Sequence, residues 1–162
     1  MNFIKGMDIS MIKELEAFGA AYYLDSRRED VFHILKKCGA NMIRLRIWQN
    51  PYDENGNSYG GGMNDLQTTI ALARRTVDSG MSYMLDLHYS DVWAEPAKQG
   101  KGKGGEKLKG KSLEEAVYFY TADTLSALKN EKLVPAMVQV GNEITKGLLW
   151  PDGHIDNTET MA

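Results

Sequence analysis

Cysteine is almost absent. Cys38 is the only one in 162 residues, so no disulfide within the chain is available to staple the fold. Its spacing behind Val31, Ile34 and Leu35 predicts a buried structural thiol on a helical stripe. Proline is scarce too: there are four, with no Pro-rich stretch that would divide the chain with a stiff linker. No apolar run approaches the roughly 18 residues that a membrane-spanning helix requires. The opening "MNFIKGMDIS" lacks the long apolar core and the Ala-x-Ala-like site of a secretory signal. An excess of positive charge is missing as well. The formal net charge of -3 argues against nucleic acid or an anionic membrane surface as the main partner. No His/Cys/Asp/Glu spacing matches a metal site, and no cofactor is implied. What remains, 43% hydrophobic and 25% charged residues, is the composition of one globular domain over residues 1–162.

Three amphipathic helices are predicted. "SRRE", Ser26 to Glu29, matches a capping box ahead of Val31, Ile34, Leu35 and Cys38, and Gly39 sits where a C-terminal cap belongs. A second helix starts near Asn64, carries Leu66, Ile70, Ala73 and Val77 on one face, and ends at Gly80. A third starts from a capping box at Ser112 to Glu115 and runs through Ala116, Val117, Tyr120, Ala127 and Leu128. Between them lie the β-rich runs "FIKGMD", "NMIRLRIW", "SYMLDLH" and "AMVQVGNE". Strand alternating with helix implies right-handed βαβ units and a parallel sheet.

Central parallel strands are normally apolar on both faces. Here only one parity is, with Ile43, Leu45, Ile47, Leu85 and Leu87. The other carries Arg44, Arg46, Trp48, Asp86 and His88, and in the fourth strand Gln139 and Glu143. Buried charge is costly unless paired, so these groups are expected to share one polar site, with Arg44 as the partner of Asp86. They gather toward the C-terminal strand ends, where α/β barrels build active sites. The expected fold is α/β, the N-terminal half of a (β/α)8 TIM barrel, because a whole barrel takes roughly 250 residues.

"GEKLKGKS", Gly105 to Ser112, formally matches a phosphate-binding P-loop. That motif needs a strand running directly into its first glycine, and the nearest strand ends at His88. The segment 98–111 instead reads as a mobile, solvated loop of glycines and six lysines (Lys98, Lys101, Lys103, Lys107, Lys109, Lys111). Ser112 reads as a helix cap.

"GMDISMIKELEAFGAAYY", "NMIRLRIWQNP", "LDLHYSDVWAEPAKQ" and "MVQVGNEITKGLLWP" carry a likeness over nearly the whole chain. In this order they resemble the successive strand-end blocks of glycoside hydrolase family 53, a family of endo-β-1,4-galactanases acting on galactan and type I arabinogalactan. The resemblance implies a retaining mechanism in a (β/α)8 barrel, with Glu143 as general acid/base and Asn142 bonding the sugar 2-hydroxyl. Arg46 and His88 match strand-end residues that shape the same subsite. Trp93, Glu95, Pro96, Ala97 and Lys98 match a substrate-contacting loop, in which the family more often has Asp at the place of Glu95. Trp48, Trp93 and Trp150 offer flat faces to a pyranose or pack the core. Asp8 and Asp91 are site residues or turn formers.

Two departures stand out. Retaining chemistry needs a second carboxyl roughly 5–5.5 Å from the first, and the family places that nucleophile at the end of the seventh strand. Glu159 lies in a polar tail and does not match it, so the nucleophile is expected outside this chain, leaving the fragment alone inactive. "GKGKGGEK", Gly100 to Lys107, replaces a stretch in which relatives tend to have Pro and an aromatic residue. The expected partner is a galactan or arabinogalactan chain. A missing C-terminal half barrel, or self-association, would cover the open strand edges. A mannanase or β-glucanase of the same clan, and a non-catalytic carbohydrate-binding half barrel, are the alternatives. Members of the family are usually secreted, whereas this N-terminus shows no signal.

Overall fold

The computed structural model describes residues 3–156; Glu159 lies outside them. Strand β1 (Gly6–Asp8) leads to the short helix α1 (Ile12–Ala17), the hairpin of β2 (Tyr22–Leu24) and β3 (Arg27–Glu29), and helix α2 (Val31–Lys37). Then come β4 (Met42–Ile47), α3 (Leu66–Asp78), β5 (Ser82–Leu87), α4 (Gly110–Asn130) and β6 (Met137–Val140). A two-residue pair, β7 (Gly147–Leu148) and β8 (Gly153–His154), closes the described chain.

Strands β1, β4, β5 and β6 form one parallel sheet in that order, each beside its predecessor. Such winding never reverses direction, which is the topology of half a (β/α)8 barrel rather than of a doubly wound sheet. The apolar parity packs outward under the helices: Ile43, Leu45, Ile47, Leu85 and Leu87 are buried with Phe32, Leu72, Ala73 and Leu128. Arg44, Arg46 and Asp86 occupy the opposite parity, with Arg46 directly beside Asp86 in register. Strands β1 and β6 each have a single neighbour in the sheet, and Met7 and Val140 on them are more than half exposed.

The helices correct several expectations. "SRRE" is no capping box: Asp25 and Ser26 turn the β2–β3 hairpin, at positive φ of 48° and 63°, a geometry that matches the twist of the flanking strands. The cap of α2 is Asp30, whose Oδ1 accepts from the Phe32 amide at 2.8 Å. That start turns Val31 and Phe32 inward, so Cys38 follows the last turn as an exposed residue and is not a buried thiol. Val77 is likewise exposed, because α3 buries Thr68, Thr69, Leu72, Ala73 and Thr76 instead. Helix α4 begins before Ser112, which sits inside its first turn and bonds back to Lys109 through both the amide (3.3 Å) and the carbonyl (2.8 Å).

The Gly/Lys-rich loop is anchored rather than free. Asp91 accepts from the Asn50 amide at 2.9 Å with one oxygen and from the Lys103 amide at 2.8 Å with the other. The buried Lys101 ammonium donates to the Leu108 carbonyl at 2.6 Å and pairs with Asp152 at 2.5 Å. At Gly102 a Cβ would lie 2.2 Å from Gln49 Oε1 and 2.7 Å from Asp91 Oδ1, so a larger residue would displace Gln49 and press on the anchoring carboxylate. No helix among the described residues is long and apolar enough to cross a membrane.

Candidate active site

Arg44 is the hub of the polar parity. Its Nη1 donates to Asp8 Oδ2 at 2.6 Å, and its Nη2 to Asp86 Oδ2 at 2.5 Å and Asn142 Oδ1 at 2.7 Å. The expected Arg44–Asp86 pair is present, and the same guanidinium also reaches the first strand and the turn after the fourth. Asp86 is fully buried and shares Oδ2 with His88 Nε2 at 2.8 Å. On the other side of the His88 ring, Nδ1 accepts from the Ala94 amide at 3.2 Å, which leaves the Nε2 hydrogen to donate to Asp86.

Asp8 holds both arginines, meeting Arg46 Nη1 at 3.3 Å through the oxygen not used by Arg44. The Ser10 hydroxyl and amide donate to that same oxygen at 2.7 and 3.0 Å. Burial pushes the Asp8 carboxyl upward, but the Ser10 donors and the Arg46 and Arg44 charges outweigh it and hold it below its ordinary value. Burial likewise lowers the Arg46 guanidinium, with Asp8 opposing it.

Arg46 lies under Trp93, its guanidinium carbon 4.1 Å from the ring centroid, and donates to the Gly61 carbonyl. A Cβ on Gly61 would sit 2.9 Å from Trp93 Nε1 and 3.2 Å from Trp48, and its φ is +80°. Glycine there lets the loop after β4 touch both indoles. Trp48 and His88 form the floor, 1% and 3% exposed, in edge contacts with Trp93 at 5.9 and 5.7 Å. Trp93 is 43% exposed and presents the open aromatic face.

Asn142 and Glu143 follow β6 in a turn where Glu143 takes φ +52°. Asn142 is buried. Its Oδ1 also accepts from Gln139 Nε2 at 3.3 Å, and its Nδ2 donates to the Ala94 carbonyl at 2.7 Å. Glu143 is exposed. Gln99, which the sequence reading did not single out, donates from Nε2 to the carbonyls of Asn142 (2.8 Å), Glu95 (3.1 Å) and Glu143 (3.4 Å).

The structure therefore joins Asp8, Arg46, Trp48, His88, Trp93 and Asn142 in one continuous set of contacts, with Glu143 adjoining through its backbone. Glu95, Pro96, Ala97 and Lys98 form an exposed turn beside it, closed by paired backbone bonds between Glu95 and Lys98 at 2.8 and 2.9 Å. Trp150 stands apart: its indole donates to the carbonyls of Lys146 and Gly147, and its ring packs on His154. Asp91 is a loop anchor. A groove of about 550 Å³ opens beside the edge of β1, lined in part by Met7, Asp8, Met11, Arg46 and Trp93.

The sequence profile of glycosyl hydrolase family 53 matches residues 4–162. An endo-β-1,4-galactanase of Bacillus subtilis is 44% identical over 90% of this chain and 34% of its own length. The solved catalytic domain of an Ignisphaera aggregans family 53 protein superposes with a TM-score of 0.93 at 42% identity, covering 98% of this chain and 44% of that one. A structure of fungal β-1,4-galactanases gives a TM-score of 0.86 at 35% identity over 95% of this chain and 44% of its own. The chain thus spans less than half the length of these relatives.

Proposed function

This chain belongs to glycosyl hydrolase family 53, and from that premise we propose that it forms the acid/base-bearing half of an endo-β-1,4-galactanase that hydrolyses internal bonds of galactan or type I arabinogalactan. One observation carries the reading. The fourth strand of the half barrel ends in an exposed carboxylate, Glu143, directly after an Asn that Arg44 ties into a partly buried ionic network. The C-terminal strand ends are where such barrels do their chemistry.

In this assignment Glu143 donates a proton to the glycosidic oxygen as the C–O bond breaks. A second carboxylate attacks the anomeric carbon, and Glu143 then takes a proton from the water that releases the sugar. The second carboxylate is assigned to the part of the family fold beyond this chain's span. Asn142 commits one amide hydrogen to the Ala94 carbonyl, which leaves the other for the sugar 2-hydroxyl, a contact that strengthens as the transition state forms. Trp93 supplies an apolar face for the pyranose ring, held in place by Arg46 beneath it.

The test uses the full-length protein. Glu143→Gln should lower galactan hydrolysis by about 10²–10⁴-fold, the usual worth of general acid catalysis. Glycosides with a very acidic leaving group need no protonation and should keep most of their first-step rate. Equal losses on both would remove Glu143 from the acid role. Cleavage of mannan or cellulose derivatives, but not of galactan, would overturn the substrate assignment.

A further inference from the structure

Glu143 holds a left-handed backbone conformation, φ +52°, without being a glycine. Such conformations cost of order 1 kcal/mol or more and persist only where the surroundings over-determine them. Arg44, Gln139 and the Ala94 carbonyl hold the Asn142 side chain, while one side chain bonds the backbone carbonyls of both Asn142 and Glu143. Gln99 is 3% exposed and reaches across from the loop after β5 to bond Asn142 O at 2.8 Å and Glu143 O at 3.4 Å. Its orientation is chemically forced. All three acceptors around Nε2 are backbone carbonyls, counting Glu95 O at 3.1 Å, and a flipped amide would aim its oxygen at them. Two hydrogens serve three acceptors, so the shortest bond, to Asn142, takes one outright. Gln99 is itself pinned from behind, its own carbonyl accepting from the Trp150 amide at 2.6 Å.

We propose that Gln99 is a positioning residue: its carboxamide holds the Asn142–Glu143 turn in the geometry that aims the Glu143 carboxylate at the glycosidic oxygen. This rests on Glu143 being the acid/base, and the experiment keeps the two claims apart. In the full-length enzyme, Gln99→Met keeps the length of the side chain and removes the donor. Galactan hydrolysis should fall by up to about 10²-fold, the scale of a misplacement near 1 Å. The first step on a glycoside with an acidic leaving group should fall much less. In a Glu143→Gln background the same change should cost little more, because the acid it aims is already gone. Gln99→Glu supplies a second reading within one chain. A protonated carboxyl donates to the Asn142 carbonyl, whereas a carboxylate faces three carbonyl oxygens and repels them. Its activity should therefore recover toward the parent as pH falls, moving the pH profile to the acid side.

Selective loss in Glu143→Gln combined with equal loss on both substrates in Gln99→Met would sink Gln99 alone, as would multiplicative losses in the double variant. An unselective Glu143→Gln would remove the acid assignment and this proposal with it. If Gln99→Met fails to fold, Gln99→Glu decides: recovery at acid pH supports the positioning role, and a pH profile unchanged in shape refutes it.

Discussion

Replacing Arg44 by Met should destabilise the protein far more than the partial exposure of its side chain suggests. Arg44 is 25% exposed and Asp86 0%, so the consequences of cutting their bond are unequal. Without Arg44, Asp86 stays in the core with the His88 N–H as its remaining partner. Removing one member of a buried pair costs about 3–5 kcal/mol, and the lower end applies because the His88 bond survives. Loss of the Asn142 contact adds about 1 kcal/mol, so Arg44→Met should cost about 4 kcal/mol. Asp86→Asn leaves Arg44 with Asp8 and a route to water, and should cost about 1–2 kcal/mol. Combining the two removes the stranded charge, and the double variant should be more stable than the sum of the single losses by about 1–3 kcal/mol. Urea unfolding of the full-length protein at an unchanged m-value measures all three. Arg44→Met within about 1 kcal/mol of the parent, or single losses that add to within about 0.5 kcal/mol, would refute the reasoning.

Trp48→Ala and Trp93→Ala should separate cleanly. The first empties a core position and should cost about 3–5 kcal/mol of stability, while the second should leave the unfolding midpoint nearly in place and raise KM for galactan; comparable thermal losses would contradict the assignment of floor and platform. The Asp8 carboxyl lies below its ordinary value of 3.8 when folded, so its stabilising contribution is complete above that pH and is lost as pH falls below it. Asp8→Asn should therefore be less stable than the parent near neutrality, with the two stability curves converging in acid, and parallel curves would show that Asp8 does not titrate this way. The 162-residue chain expressed without further sequence should self-associate through β1 and β6, detected by light scattering, and should not cut galactan; a stable, active monomer would contradict both the open-edge reading and the need for a second carboxylate.

The barrel-like winding was legible because the parallel strands separate cleanly into an apolar and a polar parity, and the sheet buries the apolar one against the helices. What misled was local pattern without tertiary context. "SRRE" fits a capping box and a hairpin arm equally well. Pairing of Tyr22 with Glu29 across the hairpin selects the second, whereas the helical spacing of Val31, Ile34 and Leu35 just beyond it favours the first. The loop 98–111 was read from its composition as mobile and solvated; most of its lysines are exposed, yet remote anchors hold it: Asp91 lies 12 residues from Lys103, and Asp152 belongs to the turn between β7 and β8. Gln99 was silent for the same reason. A glutamine in a loop is ordinarily solvent-facing, and its acceptor at Asn142 is 43 residues away.

The polar parity was legible as one shared set of paired groups, but its mechanical role was not. Strands β1 and β6 are separated by β4 and β5. In a flat sheet that spacing would put Asp8 roughly 14 Å from the end of β6, and Arg44 on β4 roughly 10 Å from it. Arg44 nevertheless bonds Asp8 with one nitrogen and Asn142 with another. The long guanidinium bridges the sheet across its polar face, on the side toward which the strands of a barrel wall curl. The ionic network is thus a strut across the half barrel as well as a support of the Asn142–Glu143 turn. Its loss should free Asp8 and Asn142 in the same event. The same few bonds thus tie the first strand to the Asn142–Glu143 turn and pair the charges, which explains how charges that cost so much to bury can be kept on the inner face.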